Sequence, residues 1–583
     1  MAASLPAGDE ARYRTVAQLW RHRCREGGDR PAVRYKRGGI WSTLTWREFL
    51  ERSRAVGLTL ADDGIGPGDV VSILSDNRPE WLIVDMAAQA MGCISHGVYP
   101  DSSAHRVAQA LDTAGTRIVF VENTEQLAKV LDGDTECSRL RRIVVMQPEG
   151  LRHVEDRRVV RFADWLARGD ELAHQRPAAF DEAIDAGTAD AMLVLASTAG
   201  TTGAPRLAAI HQSGYLQQLH AGRDWLCLAA GDRLLSFVPL SQVSERLVVQ
   251  SALLVHGALV HFPEGTATVL NDLAEVAPRM LAAPPRFWER LHARIDLFMD
   301  EASSAARTAY RRSVAAAPRR PWHRLVLRRV RASLGLQNMR MALVSGGQPA
   351  PEVTAWYEAL DVPLFAGYSL AEVAGYCSVA PLCASRPAPD VGLKLDLDAN
   401  SEILVQGIGR DLGYWSRGTL EPVRTCAEGA FRTGDVGMRV AGGIRVLGRM
   451  PSHPARGVQA LPEAVESALR SSPFIADAVV LMAAQTSRRC LLMLEEERVR
   501  RYAQERDLPF SDYPSLASSP EVVALIAAQV EQVNRHLEPG MRVTRFHIIP
   551  RVLHPDDDEL TPAMRLNRRV VQQKYAALLE VQP

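Results

Sequence analysis

Between Ser197 and Arg206 the chain reads Ser-Thr-Ala-Gly-Thr-Thr-Gly-Ala-Pro-Arg. Small residues let a backbone approach a bound group closely. Three threonines and a serine add hydroxyl donors to the free N–H groups of the turn. Such a loop can form a concave anion site that wraps a polyphosphate. It is not the nucleotide-binding P-loop, because the Gly-Lys-Ser/Thr ending is absent. A surface turn has the same composition, and the loop alone does not separate the two readings.

The elements around the loop predict how it is held. The apolar run Met192 to Ala196 reads as a buried strand that breaks into the loop. Upstream, residues 15 to 150 alternate helix and strand patterns. Helices are predicted over Thr45 to Ala61, with Thr45 as N-cap, Pro79 to Met91 and His105 to Ala114. Strands are predicted over Asp69 to Leu74, Cys93 to Tyr99 and Arg117 to Val121. This βα alternation predicts a layered α/β domain with mostly parallel strands. Downstream come a strand at Leu234 to Pro239, an apolar helix at Ser244 to Val255, and a strand, a Pro-Pro break and a helix over residues 280–294. Residues 301–340 are rich in Ala and Arg, with Arg311, Arg312, Arg324, Arg328 and Arg329 among them. They read as a solvated helical pair, with a lipid-surface or phosphate patch as the other reading. Strands follow at Met341 to Ser345 and Val362 to Ala366, then short Gly-rich strands from about residue 390 to 447. A Pro/Ser/His-rich bridge after Gly448-Arg449 sets the predicted boundary between residues 1–447 and a smaller unit, 448–583.

Bulk composition excludes several classes. The 583 residues are too many for a single core. At 47% hydrophobic and 23% charged, with zero formal net charge, nothing points to nucleic acid. Four of the 68 basic residues are lysine (Lys36, Lys129, Lys394, Lys574); the others are arginine. The eight cysteines form no Cys-x-x-Cys pair, and free thiols in a reducing cytoplasm are the simplest reading. MAASLPAGDEARYR lacks the apolar core of a signal peptide. The most apolar stretch, Leu247 to Phe262, is too short and too polar to span a bilayer. A cytoplasmic protein is expected, with peripheral membrane contact left open.

Five stretches occur in order: STAGTTGAPR, VPLSQVSER, GYSLAE, FRTGD and VLGR. Together they resemble the adenylate-forming superfamily, and the resemblance covers nearly the whole chain. VPLSQVSER, PPRFWERL, the SGGQP-to-GYSLAE spacing, the insert near 496 to 538 and the ending ELTPAMRLNRRVVQQKY look most like long-chain fatty acid–CoA ligases. The resemblance implies a large multi-layer N-terminal domain of mixed sheets and helices with a small mobile α+β C-terminal domain. It implies a two-step chemistry. A carboxylate attacks the α-phosphate of ATP, giving acyl-adenylate and pyrophosphate; the thiol of coenzyme A then displaces AMP. The protein's part is charge neutralisation and positioning.

By that resemblance, Thr198, Gly200, Thr201, Thr202, Gly203 and Arg206 would hold the phosphates. Tyr368 would stack on adenine, against the backbone of Gly346, Gly347 and Gly367. Glu372 would bind Mg²⁺. Asp435 would accept from both ribose hydroxyls, since a carboxylate offers two acceptors in one plane, and Arg449 would support the same ribose or the α-phosphate. Gln242, Ala366, the segment from Ser244 to Phe262 and the strand at Val362 to Ala366 would line the site of an apolar carboxylic acid.

This sequence departs from the family at several of these places. Arg206 stands where lysine is usual, Leu207 replaces the following glycine, and Ala371 replaces a threonine. The hinge, 448–457, carries Ser452 where an acid or lysine is usual, and Pro451 and Pro454 stiffen it. Arg565 occupies the place of the catalytic lysine, and arginine keeps the charge without the compact ammonium. Three readings stay open at this point: an acyl-CoA synthetase, an enzyme that hands its acyl-AMP to an acyl carrier protein, and a non-catalytic relative that binds nucleotide or acyl ligand.

Overall fold

The computed structural model describes residues 12–575 except 134–136, 152–153, 199–205, 317–319, 383–386, 408–411, 427–428, 441–442, 450–461, 471, 484–486, 536, 538, 554–558 and 561–567. Two large sheets carry the fold among these residues. In the nine-stranded sheet, Val70–Leu74, Ile94–Val98, Thr116–Val121 and Met192–Ser197 run parallel at the centre. One edge is antiparallel, because Leu207–His211 returns beside Met192–Ser197 and Gly413–Ser416 joins it there. The eight-stranded sheet is parallel from Pro31–Arg37 through Leu259–Phe262, Arg233–Leu235, Met280–Ala283 and Met341–Ser345 to Leu364–Leu370. Val70–Leu74 and Ile94–Val98 are buried at every position, and their polar residues Ser72 and His96 pair with each other at 3.0 Å inside the sheet.

Local sequence explains the helices between the strands. Thr45 caps Trp46–Asp62 in a capping box: the Glu48 N–H donates to Thr45 Oγ1 at 3.2 Å, and the Thr45 N–H donates to Glu48 Oε2 at 2.8 Å. Pro79 and Pro285 open Pro79–Ala90 and Pro285–Glu301, where a missing N–H costs nothing. The Ala/Arg-rich stretch forms the expected pair, Ser304–Ala315 and Pro321–Ser333.

Three expectations shift, and the first is the strand expected at Val362 to Ala366, which runs over Leu364–Leu370. The strand expected over Leu234 to Pro239 is three residues long, Arg233–Leu235. Asn77 draws the chain off the sheet, its Nδ2 donating to the Val238 carbonyl at 2.7 Å and its Oδ1 accepting from the Leu240 N–H at 2.8 Å. The apolar helix is α-helical over Val243–Gln250 and then widens to a π-helix over Ser251–His256, ending on left-handed Gly257.

A four-stranded antiparallel sheet includes Glu402–Gln406, Phe431–Val440 and Gly443–Arg449. Beyond it, Ile475–Ala483, Ser487–Leu494 and Val543–Ile548 form a three-stranded sheet with its own apolar core. That sheet meets the helix Pro285–Glu301 through Arg286, whose Nη2 lies 2.7 Å from Asp477 Oδ2.

Candidate active site

The Gly/Thr loop is closed at its neck. The Thr198 N–H donates to the Arg206 carbonyl at 2.8 Å, and the Arg206 N–H donates to Thr198 Oγ1 at 3.0 Å. Between these two residues, Gly200, Thr201, Thr202 and Gly203 lie outside the described residues, as do Ser452 of the hinge and Arg565.

The Arg206 guanidinium stacks on Tyr414, 3.6 Å from the ring centre. Sheet pairing brings the two together, because Tyr414 sits opposite Ala208 where Gly413–Ser416 joins Leu207–His211. The Tyr414 hydroxyl donates to Glu372 Oε1 at 2.7 Å. Burial, and then the Glu372 carboxylate, hold the Tyr414 hydroxyl well above its ordinary pKa. One connected chain thus runs from the loop's cation through an aromatic ring to the proposed metal ligand.

A second chain lies within electrostatic reach of the first. The Tyr368 hydroxyl donates to Asp435 Oδ2 at 2.6 Å, and Arg449 Nη1 donates to Asp435 Oδ1 at 2.9 Å. Asp435 and Arg449 are direct partners across the hairpin of Phe431–Val440 and Gly443–Arg449. Backbone bonds aim the carboxylate: the Asp435 N–H donates to Thr433 Oγ1 at 3.0 Å, and the Gly434 N–H to Glu402 Oε1 at 2.8 Å. Burial and Asp435 together push the Tyr368 hydroxyl far up. Burial draws the Arg449 pKa down, but Asp435 and Glu372 outweigh it, and the net shift is upward.

The glycines have separate reasons. Gly346 has φ 88° and Gly347 φ 159°, so the exit from Met341–Ser345 turns through backbone that side chains resist. At Gly367 the space belongs to Tyr376, since a Cβ would stand 2.6 Å from its ring. The expectation that Gly367 is bare to admit a purine is therefore only part of the account. The Tyr376 hydroxyl pairs with Ser345 Oγ at 3.0 Å.

Gln242 precedes the helix Val243–Gln250 and donates from Nε2 to Ser244 Oγ at 2.8 Å. Ala366 lies half-buried in its sheet between Val344 and Ala380. The helix is fixed by a buried pair, Arg246 with Asp85, to which Gln250 Nε2 also donates at 2.7 Å. Next to them, Glu245 is fully enclosed. Its Oε1 accepts from Ser236 Oγ at 2.6 Å, and burial pushes its pKa up to about 8. Sequence reasoning missed Tyr414, Tyr376 and Glu245. Only Glu245 left a signal, an acid next to Arg246 at the start of a helix that turns apolar from Leu247.

Thr198, Arg206, Tyr368, Glu372, Asp435 and Arg449 thus converge from four separate stretches of chain. The AMP-binding enzyme family matches residues 20–420. The chain belongs to that family. Among its relatives, the long-chain-fatty-acid–CoA ligase FadD15 of Mycobacterium bovis is 28% identical, with 97% of this chain and 96% of that one covered. The long-chain-fatty-acid–CoA ligase ACSBG2 of Gallus gallus is 23% identical over 98% of this chain and 81% of its own length. The adenylation domain of the carboxylate reductase of Mycobacterium chelonae has a similar fold, with a TM-score of 0.73 at 19% identity over 97% of this chain and 90% of its own. This AMP-binding enzyme therefore has the adenylate-forming α/β fold.

The described donors fit a Mg²⁺ ion carried on a polyphosphate. Glu372 is a single carboxylate beside the Tyr414 hydroxyl, and no cluster of three or more His, Cys, Asp or Glu suited to a metal occurs among the described residues. Mg²⁺ is held in this way, by one or two carboxylates with substrate phosphates supplying the rest. No helix among the described residues is long and apolar enough to cross a membrane.

Proposed function

We propose that this AMP-binding enzyme is an ATP-dependent acyl-CoA synthetase that activates an apolar, fatty-type carboxylic acid through an acyl-adenylate. The convergence of the Arg206–Tyr414–Glu372 and Tyr368–Asp435–Arg449 chains carries this reading. It supplies, in one place, a cation at the phosphate loop, a carboxylate for a phosphate-bound ion and a paired carboxylate for a diol. The match to long-chain-fatty-acid–CoA ligases along nearly the full chain supports the acid class.

In this reading the loop from Thr198 to Arg206 cradles the β- and γ-phosphates, and the Tyr368 ring stacks on adenine. Asp435 and Arg449 hold the ribose. Glu372 would hold Mg²⁺, which when bound bridges and neutralises the phosphates. Gln242 and Ala366 border the acid, with Leu247, Val248 and Val249 of the following helix as the apolar residues behind them. Arg565 supplies positive charge to the α-phosphate as the carboxylate attacks. Residues 1–447 and 448–583 act as two units, with the hinge at 448–457 and Ser452 within it.

The experiment is pyrophosphate release from ATP with a panel of short, medium and long aliphatic acids and aromatic acids, with and without coenzyme A. Release that depends on an apolar acid, with a CoA thioester formed when the thiol is present, is expected. Each added CH₂ buried should favour the acid by about 0.8 kcal/mol until the site is full. Acid-dependent release without a CoA product would move the acceptor to an acyl carrier protein. No release with any acid would leave a nucleotide- or acyl-binding protein without the enzyme activity.

A further inference from the structure

From Ala302 to Pro351 the chain carries ten arginines and no aspartate or glutamate. Ten of the 68 basic residues and none of the 68 acidic ones therefore fall in a stretch of 50 residues, within a chain of zero formal net charge. The pair Ser304–Ala315 and Pro321–Ser333 displays this charge. Its inner side belongs to the core: Tyr310, Leu327 and Val330 are buried, and Tyr310 accepts from the Trp356 indole N–H at 2.6 Å.

The outer side differs from that of an ordinary solvated helix. On Pro321–Ser333 the helical period places Leu325, Arg328 and Arg329 opposite the buried His323, Leu327 and Val330, with Trp322 on the flank, its ring centre 3.8 Å from that of His323. Leu325 is 55% exposed and Trp322 43% exposed. Phe298, one turn before the end of the preceding helix, is 64% exposed. Arg311, Arg312, Arg324, Arg328 and Arg329 are exposed, and none has a carboxylate partner among the described residues. Solvated helices usually interleave acids with bases at i, i+4 spacing, because like charges repel. Among the described residues Arg331 meets a carboxylate, Asp361 at 3.6 Å, while these five arginines meet none.

We propose that the outer side of this helical pair docks on an anionic lipid bilayer. Unpaired guanidinium groups complement anionic headgroups. Their apolar stems let the charge sit at headgroup level while Leu325 and Trp322 enter the acyl boundary. A polyanion such as nucleic acid would neutralise the arginines but give Leu325 no apolar surroundings, so the bilayer accounts for both features. The docking stands on this surface alone and does not depend on the acyl-CoA synthetase reading.

The test is co-sedimentation of the full chain with vesicles of phosphatidylcholine alone and with about 30 mol% phosphatidylglycerol, at low and high salt. Binding to the anionic vesicles and little to the neutral ones is expected. Arg328→Ala and Arg329→Ala should each weaken it about fivefold, the change that about 1 kcal/mol per basic residue predicts. Trp322→Ala with Leu325→Ser should remove the part of the binding that survives high salt. Thermal melts matching the wild type show that the surface variants fold. Absence of binding to anionic vesicles, or binding unchanged in both sets of variants, would overturn the proposal. So would equal loss of binding to an RNA duplex in the arginine variants with no effect of Trp322→Ala and Leu325→Ser on vesicles, which would reassign the face to nucleic acid.

Discussion

The Tyr368 hydroxyl donates a 2.6 Å hydrogen bond to one oxygen of Asp435, while Arg449 holds the other at 2.9 Å. Each oxygen of the carboxylate proposed to bind ribose thus already accepts one hydrogen bond inside the protein. A diol that binds there would use the second lone pair of each oxygen. Asp435→Ala should weaken ATP binding by about 1.5–3 kcal/mol for each hydrogen bond lost. Tyr368→Phe keeps the ring and releases one acceptor, so it should lower thermal stability without weakening ATP. Calorimetric titration of both variants separates the two effects. Equal loss of ATP affinity in both would mean that the Tyr368 hydroxyl, rather than its ring, serves the nucleotide.

Tyr414 couples Arg206 to Glu372. A double-mutant cycle of Arg206→Ala and Tyr414→Leu should give an interaction energy of about 0.5–2 kcal/mol in ATP affinity, the range for a cation stacked on an aromatic ring. Tyr414→Phe retains the stack and loses only the bond to Glu372, so it should change the Mg²⁺ dependence of pyrophosphate release more than ATP affinity. Additive effects in the cycle would uncouple the loop from the ring.

In the proposed reading Arg565 would bring the charge of the usual lysine through a wide planar fork. Arg565→Lys should raise the rate of pyrophosphate release, and Arg565→Ala should lower it about 100- to 1,000-fold, the usual cost of removing one such donor. Thioester formation from supplied acyl-AMP should change little. If neither variant alters pyrophosphate release, Arg565 takes no part in adenylation.

Glu245 gives the stability curve a slope. Burial raises its pKa from 4.5 to about 8, so near neutral pH the folded chain keeps the proton that the unfolded chain releases. The unfolded state then binds fewer protons, and stability falls as pH rises between these two values. Each unit across that window costs about 1.4 kcal/mol. Glu245→Gln keeps an oxygen for the Ser236 hydroxyl and cannot ionise. Urea midpoints of the variant and the wild type should converge near the acid end of the window and separate in favour of the variant toward its alkaline end. Parallel curves would show that Glu245 is already ionised in the folded protein.

Much of the frame was legible wherever a local rule decided it. Thr45 with Glu48 fixed one helix start, and Pro285 another. The run Met341–Ser345 is apolar at four of five positions, and its strand has the expected bounds. Legibility failed where a distant partner decided. Arg233–Leu235 stops short because Asn77 captures the following backbone. The widening of the helix at Ser251–His256 has no period of its own in an apolar run. The charged residues proposed for the site were chosen by motif order. Tyr414 was not, because its neighbours in sequence carry no charge and its role arises from pairing with a strand some 200 residues earlier. Gly367 was noticed for a ligand, but Tyr376 on the next strand already fills the space beside it.

The register of the eight-stranded sheet has a consequence during synthesis. Val33 is the parallel partner of Val260, and Pro31–Arg37 otherwise has only the short hairpin strand Ile40–Thr45 beside it. At ribosomal speeds of about 5–20 residues per second, the early strand waits on the order of ten seconds or more for its neighbour to emerge. The nine-stranded sheet waits a similar interval for Gly413–Ser416, which pairs with the earlier strand Leu207–His211. Nascent chains released before residue 260 therefore expose an unpaired strand edge, the surface that aggregation and chaperones compete for.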